Sequence, residues 1–239
     1  MKTIFAASAL AAVLIAAGSA SATELLTNGH FDGGATGFFS EYKYAPPNGS
    51  GQNLWPEGTY DVTTNPNADH PLFAAFADHT ASPDLGKMMV INGSGAANTI
   101  VWAEGDIGGG APLIGAANTA YTFSFWLASV YPASPADLQL SINGQAIAGE
   151  TFAAAGGSEH LGQWQEFSYS GVSGAGGLKS ISLTNLNLEP SGNDFALDDM
   201  HLSGTAVPEP SSWALMLIGF GGLGAMLRAN PRRLVLVTA

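Results

Sequence analysis

Residues Tyr121 to Val130 constrain the fold more than any other stretch. Tyr121, Phe123, Phe125 and Leu127 fall on one side of an extended chain, and Thr122, Ser124, Trp126 and Ala128 on the other. A period of two marks a strand with one face in a core. The pattern recurs. Leu138, Leu140 and Ile142 alternate with Gln139 and Ser141, then run into Asn143-Gly144, a pair that accepts the positive φ of a tight hairpin, and the chain returns through Ala146 to Ala148. Lys87 to Ile91 ends at a similar turn signal, Asn92-Gly93, and Thr99 to Glu104 is a further short run. Gln163 to Ser170 sets Trp164, Glu166 and Ser168 against Gln165, Phe167 and Tyr169, while Leu178 to Leu188 places Ile181, Leu183 and Asn185 on one side. The last strand, Asp194 to Leu202, sets Phe195, Leu197, Asp199 and His201 against Ala196, Asp198, Met200 and Leu202.

No long stretch shows a helical period with good helix formers. Short strands with Gly/Asn turns between them read as an all-β chain, an antiparallel β-sandwich of jelly-roll type over residues 23–205. Residues 33–85 hold Pro46, Pro47, Pro56, Pro66, Pro71 and Pro83, and are expected to be long loops with edge strands at Phe38 to Tyr44 and Thr59 to Thr63. Loops of that length in a compact domain are often functional.

All 19 acidic residues lie between Glu24 and Glu209, against only Lys43, Lys87 and Lys179, a net −16 for that segment. Such a surface repels phosphate, so nucleic acid is not an expected partner. Cysteine is absent. The domain must therefore rest on its own core or on a metal, and thiolate zinc sites and cysteine nucleophiles are excluded.

The two ends differ from the body. Lys2, the apolar run Ile4 to Ala17 and the small residues Ala20-Ser21-Ala22 form a signal peptide over 1–22, with Thr23 as the mature start. Near the C-terminus stands Val207-Pro208-Glu209-Pro210-Ser211-Ser212-Trp213-Ala214, followed by an uncharged apolar run to Leu227 and then Arg228, Arg232 and Arg233. A helix over about 211–227 would measure roughly 25 Å at 1.5 Å per residue, a little under a bilayer core. The basic residues after it suit a cytoplasmic stop. This segment, 206–233, resembles the PEP-CTERM sorting signal of exopolysaccharide-producing Gram-negative bacteria, in its PEPxxWA form carried by Val207, Pro208, Glu209, Pro210, Trp213, Ala214 and Arg228. The resemblance implies export through the inner membrane, transient anchoring by the helix, cleavage by an exosortase-type enzyme, and delivery to the cell surface or extracellular matrix. The apolar tail 234–239 departs from the usual basic end.

The body opens Asn28-Gly29-His30-Phe31-Asp32 and closes Asn193-Asp194-Phe195-Ala196-Leu197-Asp198-Asp199-Met200-His201-Leu202. This bracket, with Gly86 to Gly93, Tyr121 to Trp126 and Gly162-Gln163-Trp164 between, resembles the galactose-binding-like jelly rolls, which include carbohydrate-binding modules. In a jelly roll the first and last strands often lie side by side. Asp32 and Asp198 can then meet, and a cation relieves their repulsion. The resemblance implies a structural Ca2+ there, with Asp199 as the alternative ligand and a solvated carboxylate pair as the plain reading.

No Gly-x-Ser-x-Gly elbow is present, and the carboxylate pairs Glu57/Asp61 and Glu104/Asp106 carry no spacing evidence for a glycosidase. Asp69-His70 and Asp78-His79 repeat an acid–His pair without a ligand motif. No catalytic residue is assigned. Aromatic rings beside polar groups suit sugars. Trp126, opposite the core face of its strand, and Trp55, in the long loops, are the expected carbohydrate contacts, and Trp102 and Trp164 are read as core. The expected function is a non-catalytic surface or matrix protein associated with extracellular polysaccharide. A structural or adhesive protein without a sugar site is the alternative, and a polysaccharide hydrolase a more remote one.

Overall fold

The computed structural model describes residues 23–80, 86–114, 116–205 and 210–229. The signal peptide (1–22), Val207-Pro208-Glu209 and the tail 234–239 lie outside them. The strands are β1 (Thr23–Glu24), β2 (Lys43–Tyr44), β3 (Thr59–Thr63), β4 (Met88–Asn92), β5 (Ile100–Gly105), β6 (Ala120–Ser129), β7 (Asp137–Ile142), β8 (Gln145–Ala153), β9 (Gln165–Val172), β10 (Ser180–Asn185) and β11 (Phe195–Thr205). One helix, α1, follows at Pro210–Ala229. A seven-stranded sheet runs β2-β3-β4-β11-β6-β9, with β1 also on β11, and faces a four-stranded sheet β5-β10-β7-β8. Every pairing between these strands is antiparallel except the two-residue contact of β2 with β3. The all-β sandwich expected from the sequence is the fold.

The core between the sheets is built from the alternation itself. Tyr121, Phe123, Phe125 and Leu127 of β6 meet Leu138, Leu140, Ile181 and Leu183 of the smaller sheet, all buried. Trp102 of β5 stacks on Phe123 at 5.8 Å, and Phe125 meets Phe152 edge-on at 5.2 Å, the offset geometries that aromatic quadrupoles favour. The hairpin at Asn143-Gly144 forms with both residues at positive φ.

A second apolar cluster lies on the outer face of the larger sheet. Met88 and Val90 of β4 and Ala196 of β11 point away from the inter-sheet core and pack with Leu54, Phe73 and Val130. The proline-rich segment is therefore a cover laid over that face. This explains why β4 is apolar from Met88 to Ile91: it is buried on both sides. Thr59 to Thr63, expected as an edge strand, is buried throughout and lies second in the sheet, the edge being the two residues of β2.

The cover encloses polar groups as well. Asp61 points outward from β3 beneath it and is fully buried, and Asp69 is buried close by. Asn53 Nδ2 donates to Asp61 Oδ2 at 2.9 Å and to the Ala45 carbonyl at 2.6 Å, tying two turns of the cover to the sheet. Burial, and then the charge of Asp69, pushes the Asp61 carboxyl up to about 7, and burial raises Asp69 as well.

The apolar C-terminal run forms a helix, with Met216, Leu217, Ile218, Phe220 and Leu223 exposed. Among the described residues, no helix is long and apolar enough to cross a membrane.

A carboxyl whose folded pKa exceeds its unfolded value stabilises the fold while protonated, and that contribution is lost as pH rises through the folded pKa. Asp61, Glu104 and Asp194 are all pushed up to about 7 from ordinary values near 4, in each case by burial first. Thermal unfolding in EDTA should therefore give a higher Tm at pH 5 than at pH 8, with a smaller difference in Asp61→Asn. A Tm that rises over this range would refute the assignment.

Candidate functional site

Two places gather chemistry-bearing side chains. The first is where the opening turn meets β11. Asn28 and Phe31 both sit at positive φ. The Asn28 side chain holds the turn by donating to Gly34 O and Thr36 O and accepting from Gly33 N. Phe31 is driven into the core against Phe38, which leaves His30 and Asp32 facing out. Across from it, β11 carries a bulge between Asp198 and His201, with Asp199 at φ 45°. A bulge inserts an unpaired residue and switches the faces beyond it. The strict alternation expected for Asp194 to Leu202 is thus broken. Phe195 and Leu197 face the core, and so do Met200 and Leu202. The backbone secures the bulge by donating Met200 N to Gly29 O at 3.0 Å, and a Cβ on Gly29 would stand 2.0 Å from Met200 O.

Asp198, fully buried, accepts from Asp199 N and from His79 N, both at 2.8 Å. Burial, with the charges of Asp199 and Asp78, raises its carboxyl to about 7. Asp32 Oδ1 accepts from Lys87 N at 3.2 Å. Asp78, a residue that sequence reasoning paired only with His79, stands between them: the charge of Asp32 acts on it, and its own charge acts on Asp198. A Cβ on Gly86 would lie 2.2 Å from Asp78 Oδ2 and 3.3 Å from Asp32 Oδ1, so both oxygens crowd one bare stretch of backbone. Asp78 Oδ2 is buried without a hydrogen-bond partner. Burial and the charges of Asp32 and Asp199 raise its carboxyl. Asp199 turns to a different set: Oδ1 pairs with His30 Nδ1 at 2.5 Å and accepts from Thr80 Oγ1 at 2.8 Å, and Oδ2 pairs with His79 Nδ1 at 2.6 Å. Burial opposes its ionisation, but these hydrogen bonds outweigh burial and hold it below the usual range.

Trp126 lies in the outer face of the larger sheet between Asp198 and Glu166. His79 stacks on it at 3.7 Å and 15°, so one face of the indole is occupied. Trp102 is core, and Trp164 is half-buried with Nε1 donating to Ala77 O at 3.3 Å.

The second place is a cleft of about 250 Å³ lined by Trp55, Glu57, His70, Asn92, Tyr131 and Asp194, among others. Trp55 is 53% exposed and rests on His70 at 4.7 Å and 18°, and His70 rests on Phe73 at 4.2 Å. This ladder fixes the indole plane on the rim. Beside it, Asp194 accepts from Gly93 N at 2.9 Å and is raised to about 7 by burial and by the charge of Glu57. The structure separates Glu57 from Asp61. Glu57 lines this cleft, whereas Asp61 is sealed under the cover. Glu104 is buried, accepting from Thr27 N in a different groove.

Residues 206–233 match the PEP-CTERM protein-sorting motif. The C-terminal segment is a sorting signal, the mark of an exported and surface-sorted protein, and α1 lies within it. No curated protein matches the chain. Among solved structures it is similar to the CBM22-1 xylan-binding domain from Paenibacillus barcinonensis Xyn10C, at 13% identity and TM-score 0.46, over 79% of this chain and 99% of that one. It is also similar to a family 16 carbohydrate-binding module, at 13% identity and TM-score 0.42, over 74% and 98% of the two chains. A cyclase from Fischerella sp. TAU gives 12% identity and TM-score 0.45 over 79% and 100%. At these scores no property of those proteins is transferred to this chain.

The contact at Gly29 gives a direct test of the bulge. Gly29→Ala forces its Cβ into the Met200 carbonyl, and should lower Tm well beyond the effect of Gly174→Ala, whose Cβ would meet nothing and whose φ is not positive. Equal effects would show that the bulge is not held this way.

Proposed function

We propose that this is an exosortase-sorted surface protein that binds polysaccharide, without catalysis, in the cleft at Trp55. The observation that carries the reading is the exposed Trp55 ring held flat on His70 beside carboxylate and amide groups. Sugars present C–H faces that pack on aromatic rings and hydroxyls that pair with planar polar groups. The sorting signal supports an extracellular setting for such a ligand. Of the two tryptophans expected from the sequence, Trp55 is the open one. Titrating the full chain with the producing cell's own exopolysaccharide should quench its fluorescence saturably. Trp55→Ala should weaken binding by about fivefold, since aromatic pairs contribute of the order of 1 kcal/mol, and Trp126→Ala much less. Binding unaffected by Trp55→Ala would remove the cleft, and no binding by the folded chain would favour a structural matrix protein.

A second reading rests on Asp194 and Glu57. Burial pushes the Asp194 carboxyl up to about 7, as a general acid requires, and Glu57 lines the same cleft, so two carboxyl groups face one space as glycoside hydrolysis needs. Release of reducing ends that is abolished in Asp194→Asn would support it.

The carboxylates of the opening turn fit a hard cation. Asp32, Asp78 and Asp198 supply oxygens only, and the orphaned Asp78 Oδ2 lacks a counterpart. A Ca2+ held by these three would cross-link the opening turn, the cover and β11. Ca2+ should raise the Tm of chelator-treated protein, and Asp78→Asn should abolish most of the rise. A Tm indifferent to Ca2+ would overturn the assignment.

A further inference from the structure

The histidines beside this cradle form a different kind of site. We propose that His30, Asp199 and His201 bind a divalent transition-metal ion of the Zn2+ class, separately from the all-oxygen cradle on the other side of the Asp198–Asp199 peptide. One ligand atom from each of the three lies within 4.8 Å of the others. Two imidazoles and a carboxylate suit borderline-soft first-row ions, whereas Ca2+ takes oxygen.

The surroundings are built as a metal site requires. His201 Nδ1 faces Glu24 Oε2 at 3.0 Å. With Nδ1–H donating there, Nε2 keeps its lone pair for an ion, the carboxylate–histidine arrangement that orients metal-bound imidazoles. Glu24 is itself immobilised: Oε1 accepts from Leu25 N, Leu26 N and Leu202 N at 2.9 to 3.0 Å. Asp199 is oriented the same way by His79 and Thr80. The rings of His30 and His201 meet edge to face at 4.9 Å and 72°. Their side chains are 49% and 44% exposed, so an ion can enter from solvent and keep water in its remaining positions.

The bulge makes this possible. In a regular strand Asp199 would point into the core, between the positions of Leu197 and His201. Its φ of 45° turns it out beside His201, over His30 of the opening turn. The inference is independent of the carbohydrate reading, since the Trp55 cleft shares none of these residues.

The test is a Zn2+ titration of the chelator-stripped full chain in excess Ca2+, competed against a chromophoric zinc indicator, with Co2+ as a spectroscopic substitute. The expected result is one equivalent of Zn2+ retained in Ca2+, with Co2+ giving visible d–d bands. His30→Ala and His201→Ala should lose that equivalent, and Glu24→Gln should weaken it by about tenfold or more. His160→Ala, remote from the site, should leave it unchanged. Both histidines are partly exposed, so their variants should fold, and circular dichroism checks this. Zn2+ binding unaltered by His30→Ala and His201→Ala would overturn the site. So would absence of binding by the folded chain, or stoichiometric displacement by Ca2+, which would place the ion in the carboxylate cradle.

Discussion

The Gly29 carbonyl accepting from Met200 N, at the point where β11 bulges, is the contact on which both the fold and the gathering of His30, Asp199 and His201 depend. Below the bulge, β11 feeds Phe195 and Leu197 to the core; above it, Met200 and Leu202. The inserted residue keeps both halves buried while throwing Asp198, Asp199 and His201 outward. The opening turn, pinned by the Asn28 side chain and by Phe31 in the core, presents His30 and Asp32 to the same region. A side chain at position 29 would force the two backbones apart, which is why glycine stands there.

Much of the architecture was legible in the sequence because alternation and turn chemistry are local. The β6 face and the Asn143-Gly144 hairpin follow from residue order, and the pairing of first and last strands was expected from the jelly-roll resemblance. The parity of β11 did not. A bulge is a one-residue event, and Asp198-Asp199-Met200-His201 reads equally well as unbroken alternation until the partner strand is known. The cover over the larger sheet was hidden for a related reason. Leu54 and Phe73 are isolated apolar residues among prolines and glycines, and only tertiary contact with Met88 and Val90 shows that they form a layer.

The candidate sites divide along the same line. Asp32 and Asp198 could be paired from the jelly-roll bracket, but Asp78 enters from the cover, whose path no local signal encodes. Trp126 looked open because its strand parity is outward, and the cover then placed His79 on it. Trp55 stays open because its support, His70, is on the cover too. A segment expected to be loops is what closes one surface, supplies a carboxylate to the cradle and builds the cleft.

The position of β11 bears on how the chain acquires its shape. It is the last strand in sequence yet sits inside the larger sheet, bonded to β4 and β1 on one side and to β6 on the other. A chain delivered from its N-terminus would have β4 and β6 in hand with a gap between them, and neither sheet face complete, until Thr205 emerged. Only four residues then separate that strand from α1. Closure of the sheet and presentation of the sorting segment are therefore nearly simultaneous, and a chain interrupted before β11 would display the open edges of β4 and β6 and be left to association or degradation.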